Sequence, residues 1–83
     1  MDLNNSRNEI NKIDKEIVSL LEKRFNIVME IGKYKKENNI PVYDEKREKA
    51  VIKNCIDYLN NRELSKQIED IYMQIMNSSK ELE

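Results

Sequence analysis

The stretch from Ser6 to Asn38, SRNEINKIDKEIVSLLEKRFNIVMEIGKYKKEN, decides the fold. It holds no Pro and a single Gly, and it is dense in Glu, Lys, Arg, Leu and Ile, side chains that lose little freedom in a helix. Steps of four and three from Leu3 set out Leu3, Arg7, Ile10, Asp14, Ile17, Leu21, Arg24, Val28, Ile31 and Lys35 on one face. Six of these ten are aliphatic, and Ile13, Leu20 and Ile27 lie beside them. The pattern predicts a helix over about 6–38, opened by the capping box Ser6-Arg7-Asn8-Glu9 and closed by Asn38-Asn39 ahead of Pro41.

Two more helices follow. Asp44 is a natural N-cap for a helix over about 44–59, with Glu45 favourable to its dipole. A second Asn pair, Asn60-Asn61, separates it from a third over about 63–82. No repeat, linker or low-complexity segment interrupts the pattern, so residues 1–83 are expected to form one all-α domain.

Composition narrows the chemistry. One Gly and one Pro in 83 residues exclude turn-rich β folds, and the lone Gly also excludes a dinucleotide fold or a phosphate-cradling P-loop. Without His there is no imidazole base, no Ser-His or Cys-His pair and no His-ligated zinc. A single Cys, Cys55, permits no internal disulfide and suits a reducing, cytoplasmic setting. Short apolar runs and an early scatter of charges predict neither a membrane span nor a secretory signal. Fifteen Lys and Arg interleave with sixteen Asp and Glu, which argues against a nucleic-acid surface and leaves room for a small anion held by a few placed cations.

The first helix is too long for its own chain. Its 33 residues span roughly 50 Å, well beyond the width of a compact globule of this size, and the other two helices are shorter. Apolar surface would stay uncovered in a single subunit, so the chain is expected to form a dimer.

Four charges, Arg7, Asp14, Arg24 and Lys35, stand on the otherwise aliphatic stripe. Two readings fit them. In one, long side chains snorkel from the stripe's edge and a seam charge sets register. In the other, three cations that must be desolvated or paired line an anion site. Arg24 and Lys35 lie about 16 Å apart along the axis and can converge on one ligand, whereas Arg7 is some 42 Å from Lys35. An antiparallel dimer with its two-fold axis near Leu21 would bring Arg7 of one chain beside Lys35 of the other.

The second helix presents Asp44, Arg47, Glu48, Val51, Cys55 and Tyr58 on one face, its polar end near Lys35. Cys55 and Tyr58 read as core, while the three charges fit either a solvated, capped first turn or a site wall. On the third helix Leu64, Ile68, Ile71 and Ile75 form the apolar stripe, and Tyr72, Met76, Ser79 and Glu83 an adjoining one. Ser79 and Glu83 are neighbours one turn apart, which by itself implies only solvation.

Taken together, Arg7-x-x-Ile10-x-x-Ile13-Asp14-x-x-Ile17-x-x-Leu20-Leu21-x-x-Arg24, Ile31-Gly32-x-x-Lys35 and Pro41-Val42-x-Asp44-x-x-Arg47-Glu48 resemble the helical class of chorismate mutase. The resemblance implies an intertwined, all-helical homodimer that rearranges chorismate, a dicarboxylate, to prephenate on the route to phenylalanine and tyrosine, with no cofactor or metal. It implies that Arg24 and the partner's Arg7 grip the two carboxylates. Lys35 would bond a carboxylate and the ether oxygen, and Glu48 would accept from the ring hydroxyl, assisted by the Asp44 region. Arg47 would complete a cationic wall, and Ser79 would lie near a carboxylate. Glu83 departs from the Gln found in many bacterial members; to donate to the ether oxygen it must hold a proton. Two alternatives remain at this level: an isochorismate pyruvate-lyase, which shares fold and anion-gripping residues, and a non-catalytic helical dimerisation or ligand-sensing module.

Overall fold

The computed structural model describes residues 1–83 as three α-helices and no strand: α1 (Leu3–Glu37), α2 (Glu45–Asp57) and α3 (Ser65–Leu82), the last entered through a 3-10 turn at Arg62–Leu64. The all-helical class, the helix order and the two interruptions agree with the sequence reading. No helix is long and apolar enough to cross a membrane.

The start of α1 differs from expectation. The N-cap is Asp2 and not Ser6: the Asp2 carboxylate accepts from the amides of Asn4 at 3.0 Å and Asn5 at 3.3 Å. The Ser6 amide already bonds the Asp2 carbonyl at 3.0 Å, so Ser6 sits inside the ladder with no amide left for it to cap. Asp is as good a cap as Ser and nothing between the two positions opposes helix, so the helix runs back to the earlier signal.

The end of α1 is set by its Asn pair. Asn39 takes φ 54°, the left-handed conformation that Asn tolerates. Ile40 N–H then reaches the Lys35 carbonyl at 2.8 Å, and Asn39 N–H the Lys36 carbonyl at 3.5 Å, which closes the helix as a Schellman motif. Pro41 follows, and the turned chain delivers Asp44 to cap α2, where its Oδ1 accepts from Arg47 N–H at 2.9 Å.

α3 packs on both other helices. It runs in the same sense as the second half of α1, Ser79 meeting Arg24 and Glu83 meeting Gly32 and Lys35. Against α2 it runs the opposite way, Lys80 opposite Glu48 near the start of α2 and Tyr72 beside Cys55 further along. The face of α3 turned inward carries Tyr72, Met76, Ser79 and Glu83; of the purely apolar stripe, Leu64 and Ile71 stay about half exposed. Tyr58, expected in the core, is 79% exposed at the C-cap of α2, where the helix has ended. Cys55 is half-buried.

Very little is enclosed. Only 4 of 83 residues are buried, so this chain by itself has almost no core. From Met1 to Leu20 every residue but Ser6 is exposed, including Ile10, Ile13 and Ile17, which leaves the first half of the α1 stripe uncovered. The molecule measures 54 × 24 × 16 Å, its length being that of α1. Its accessible surface of 7155 Å² exceeds by roughly 1,900 Å² what a closed monomer of 10.0 kDa would show.

Gly32, the one buried position of α1, marks where α3 comes closest: a Cβ there would lie 2.8 Å from the Glu83 Cα. Gly32→Ala gains helix propensity of about 1 kcal/mol, yet its methyl must push the end of α3 away. The expected outcome is a folded variant that has lost the nuclear Overhauser contact between residues 32 and 83; a contact of unchanged intensity would contradict the close approach.

Candidate active site

Where the second half of α1, the start of α2 and the end of α3 converge, they enclose a cavity of about 200 Å³. Its charged and polar lining comprises Arg24, Lys35, Asp44, Arg47, Glu48, Ser79, Lys80 and Glu83; Val28, Ile31, Val42, Val51 and Met76 supply an apolar floor. Seven of the eight candidate side chains from the sequence therefore face one space. The eighth, Arg7, sits on the exposed first half of α1, outside this cavity.

Each wall is locally determined. On α1, Arg24 and Lys35 are three turns apart on the inward face, as the stripe predicts. Arg24 donates from Nη1 to Ser79 Oγ at 3.0 Å, and Ser79 Oγ–H in turn donates to the Ile75 carbonyl at 2.6 Å. Ser79 is buried, with both its donor and its acceptor capacity engaged, so it fixes the guanidinium instead of being solvated.

Lys35 Nζ donates to the Val42 carbonyl at 2.9 Å, a group placed there by the Schellman turn and Pro41. It also lies 3.0 Å from Glu83 Oε1, with side-chain exposures of 18% and 9% for the pair. That contact is an ion pair by distance, but its angles are not those of a hydrogen bond, and Glu83 Oε1 has no hydrogen-bond partner. The geometry leaves this oxygen short of a bond and beside the one ammonium of α1 that lines the cavity. Glu83 reaches this place because Gly32 has no side chain.

At the mouth of α2, Asp44 is held by capping, which also orients the first turn carrying Arg47 and Glu48. The Arg47 side chain is exposed at the cavity rim, and Glu48 Oε2 lies 3.1 Å from Lys80 Nζ. Lys80 is the lining residue that the sequence reading passed over. It shares the inward face of α3 with Met76 and Glu83 at helical spacing, a signal present in the sequence but masked by the prevalence of solvated lysines near helix ends.

Behind this wall, burial pushes the Tyr72 hydroxyl above its ordinary pKa, Cys55 beside it acts in the same direction, and Arg24 opposes. Tyr72 is therefore neutral at physiological pH and offers Arg24 no competing anion.

A larger groove of about 500 Å³ lies on α2 and α3, around Tyr43, Ile52, Ile56 and Met73. It includes Glu48 but neither arginine of the smaller cavity, and its rim mixes Lys with Asp and Glu. Size therefore does not pick out the candidate site; the converging cations do. No three His, Cys, Asp or Glu side chains cluster as metal ligands.

Comparison with known proteins bears on this arrangement. The family model for chorismate mutase type II matches residues 6–83. A bifunctional chorismate mutase/prephenate dehydratase from Buchnera aphidicola subsp. Acyrthosiphon pisum is 47% identical over 60 residues, covering 68% of this chain and 16% of that protein. The T-protein of Haemophilus influenzae is 36% identical over 50 residues, 60% of this chain and 13% of its own. The chain thus spans less than a fifth of the length of these two relatives. A solved structure, a conserved hypothetical protein from Pyrococcus furiosus, superposes with a TM-score of 0.80 at 39% identity, over 96% of this chain and 92% of that one. With helix order, cavity and cation spacing all falling within the matched span, the chain belongs to the chorismate mutase type II family.

Proposed function

We propose that this chain is a chorismate mutase, converting chorismate to prephenate in phenylalanine and tyrosine biosynthesis, and that residues 1–83 act as one catalytic domain in a homodimer. The observation that carries the reading is the gathering of Arg24, Lys35 and Arg47 with Ser79, Glu48 and Glu83 around one small, partly apolar cavity. Family membership supports the same reaction. The single thiol fits a reducing cytoplasm.

The rearrangement is intramolecular, so the protein's task is to hold a flexible dianion in its compact reactive shape and to stabilise charge on the breaking ether bond. Arg24, braced by Ser79, receives one carboxylate. Lys35, held by the Val42 carbonyl, points its remaining donors at a carboxylate and the ether oxygen. Glu48 accepts from the ring hydroxyl, the capped Asp44 turn keeps it in place, and Arg47 closes the cationic rim.

The second carboxylate falls to the partner's Arg7. Support comes from the uncovered α1 stripe and from the surface excess of roughly 1,900 Å² per chain, which matches one side of a large obligate interface. In an antiparallel pair with its axis near Leu21, position 7 of one chain falls opposite position 35 of the other.

In the free chain Glu83 is the counter-ion of Lys35. An arriving dianion takes that role, and Glu83 must then carry a proton to donate to the ether oxygen.

The decisive assay follows ultraviolet loss of chorismate and appearance of prephenate. Lys35→Ala is expected to keep the helical circular dichroism and lower kcat by about 100- to 1,000-fold. Full retained turnover would remove Lys35 from the mechanism, and turnover of isochorismate alone would replace the reaction with pyruvate elimination. Glu83→Gln, whose amide can donate where a carboxylate cannot, is expected to retain turnover, whereas Glu83→Ala loses it; a fully active Glu83→Ala would overturn that role. Mixing Arg7→Ala chains with Lys35→Ala chains, each inactive, makes about half of the dimers mixed with one sound site of two, restoring about a quarter of wild-type activity. No recovery after demonstrated subunit exchange would rule out the shared site.

A further inference from the structure

Five of the six ion pairs in the chain are accounted for. Lys49–Glu45, Lys53–Asp57, Arg62–Asp57 and Lys66–Asp70 lie in water on α2, α3 and the turn between them, with the basic side chains 60–80% exposed. Such pairs contribute little. Lys35–Glu83 belongs to the site described above. The sixth, Lys80–Glu48, is sheltered, with side-chain exposures of 30% and 22%, and it joins α3 to α2 across the cavity wall.

We propose that Lys80 is a positioning residue that presents Glu48 to the substrate hydroxyl; this rests on the mutase reading. Two contacts hold Lys80 in place. Its Nζ lies 3.1 Å from Glu48 Oε2 and 4.9 Å from the centroid of the Tyr43 ring, so the ammonium sits between a carboxylate and an aromatic face. The ring comes from the loop between Pro41 and Asp44, so three elements meet at one charge.

Two consequences follow from electrostatics. The Lys80 ammonium draws Oε2 by charge at 3.1 Å, which biases the Glu48 rotamer and leaves Oε1 to accept from a hydroxyl. The cavity also carries three carboxylates, Asp44, Glu48 and Glu83, which repel a dianion. Lys80 neutralises Glu48, while the Tyr43 face gives the ammonium a second contact that holds it against that carboxylate. An acidic hydrogen-bond acceptor is thereby made tolerable in a site built for anions.

The test compares Lys80→Met, Lys80→Arg, Glu48→Gln and the double variant Lys80→Met/Glu48→Gln in the chorismate assay, with folding verified by thermal melting. Lys80→Met keeps the apolar stem and drops the charge; it is expected to raise KM about tenfold with a smaller change in kcat. Lys80→Arg is expected to restore KM to within about threefold of wild type, since it keeps the ion pair and stacks on the ring. Glu48→Gln retains an acceptor oxygen without charge, so adding Lys80→Met there is expected to change kcat/KM by less than about twofold. An equal loss in both backgrounds would show that Lys80 meets the substrate directly and would overturn the proposal, as would a Lys80→Met enzyme with wild-type KM. A wild type that turns over no chorismate would bring down the mutase reading itself and this inference with it, an outcome distinct from an active wild type indifferent to Lys80.

Discussion

The constraint behind this structure is the length of α1. Thirty-five residues in one helix reach about 52 Å, and the 13 residues of α2 and 18 of α3 cannot lie along all of it. They cover the second half and leave Ile10, Ile13 and Ile17 bare. Hydrophobic stabilisation scales with apolar area removed from water, so a chain with four buried residues holds little of it within itself. The same length separates Arg7 from the cavity.

The cavity forms where coverage is most complete. Cations there would be costly to desolvate alone, and each is tied to something specific: Arg24 to Ser79, Lys35 to Val42 and Glu83, Lys80 to Glu48 and Tyr43. Arg47 alone stays exposed at the rim. Preorganisation of this kind suits a reaction whose barrier is conformational and electrostatic, because the donors are already aimed before the ligand arrives. Internal carboxylates balance two of these cations, and Glu83 Oε1 is left without a hydrogen-bond partner.

Local signals in the sequence decide some features of the fold and leave others open, for reasons of scale. Asp44 as a cap and the Asn38-Asn39 end are decided within one turn of backbone, and both stand in the structure. Ser6 lost to Asp2 because two equivalent caps competed within one helical turn. Tyr58 continues the apolar face of α2 on a helical wheel, but α2 ends at Asp57 and Tyr58 is exposed as its C-cap. Lys80 was indistinguishable from a solvated lysine, since its neighbours in sequence say nothing of Glu48, 32 positions away.

By itself the sequence determined three helices, their breaks and the spacing of Arg24 and Lys35, because periodicity, caps and Pro41 act within a few residues. Only the tertiary structure decided what those cations face. The approach of α3 to Gly32, which sets Glu83 against Lys35, and the contacts of Ser79 with Arg24 and Lys80 with Glu48 join residues 32–55 positions apart. Their geometry depends on how helices cross and how closely their backbones approach, quantities that no helical wheel contains.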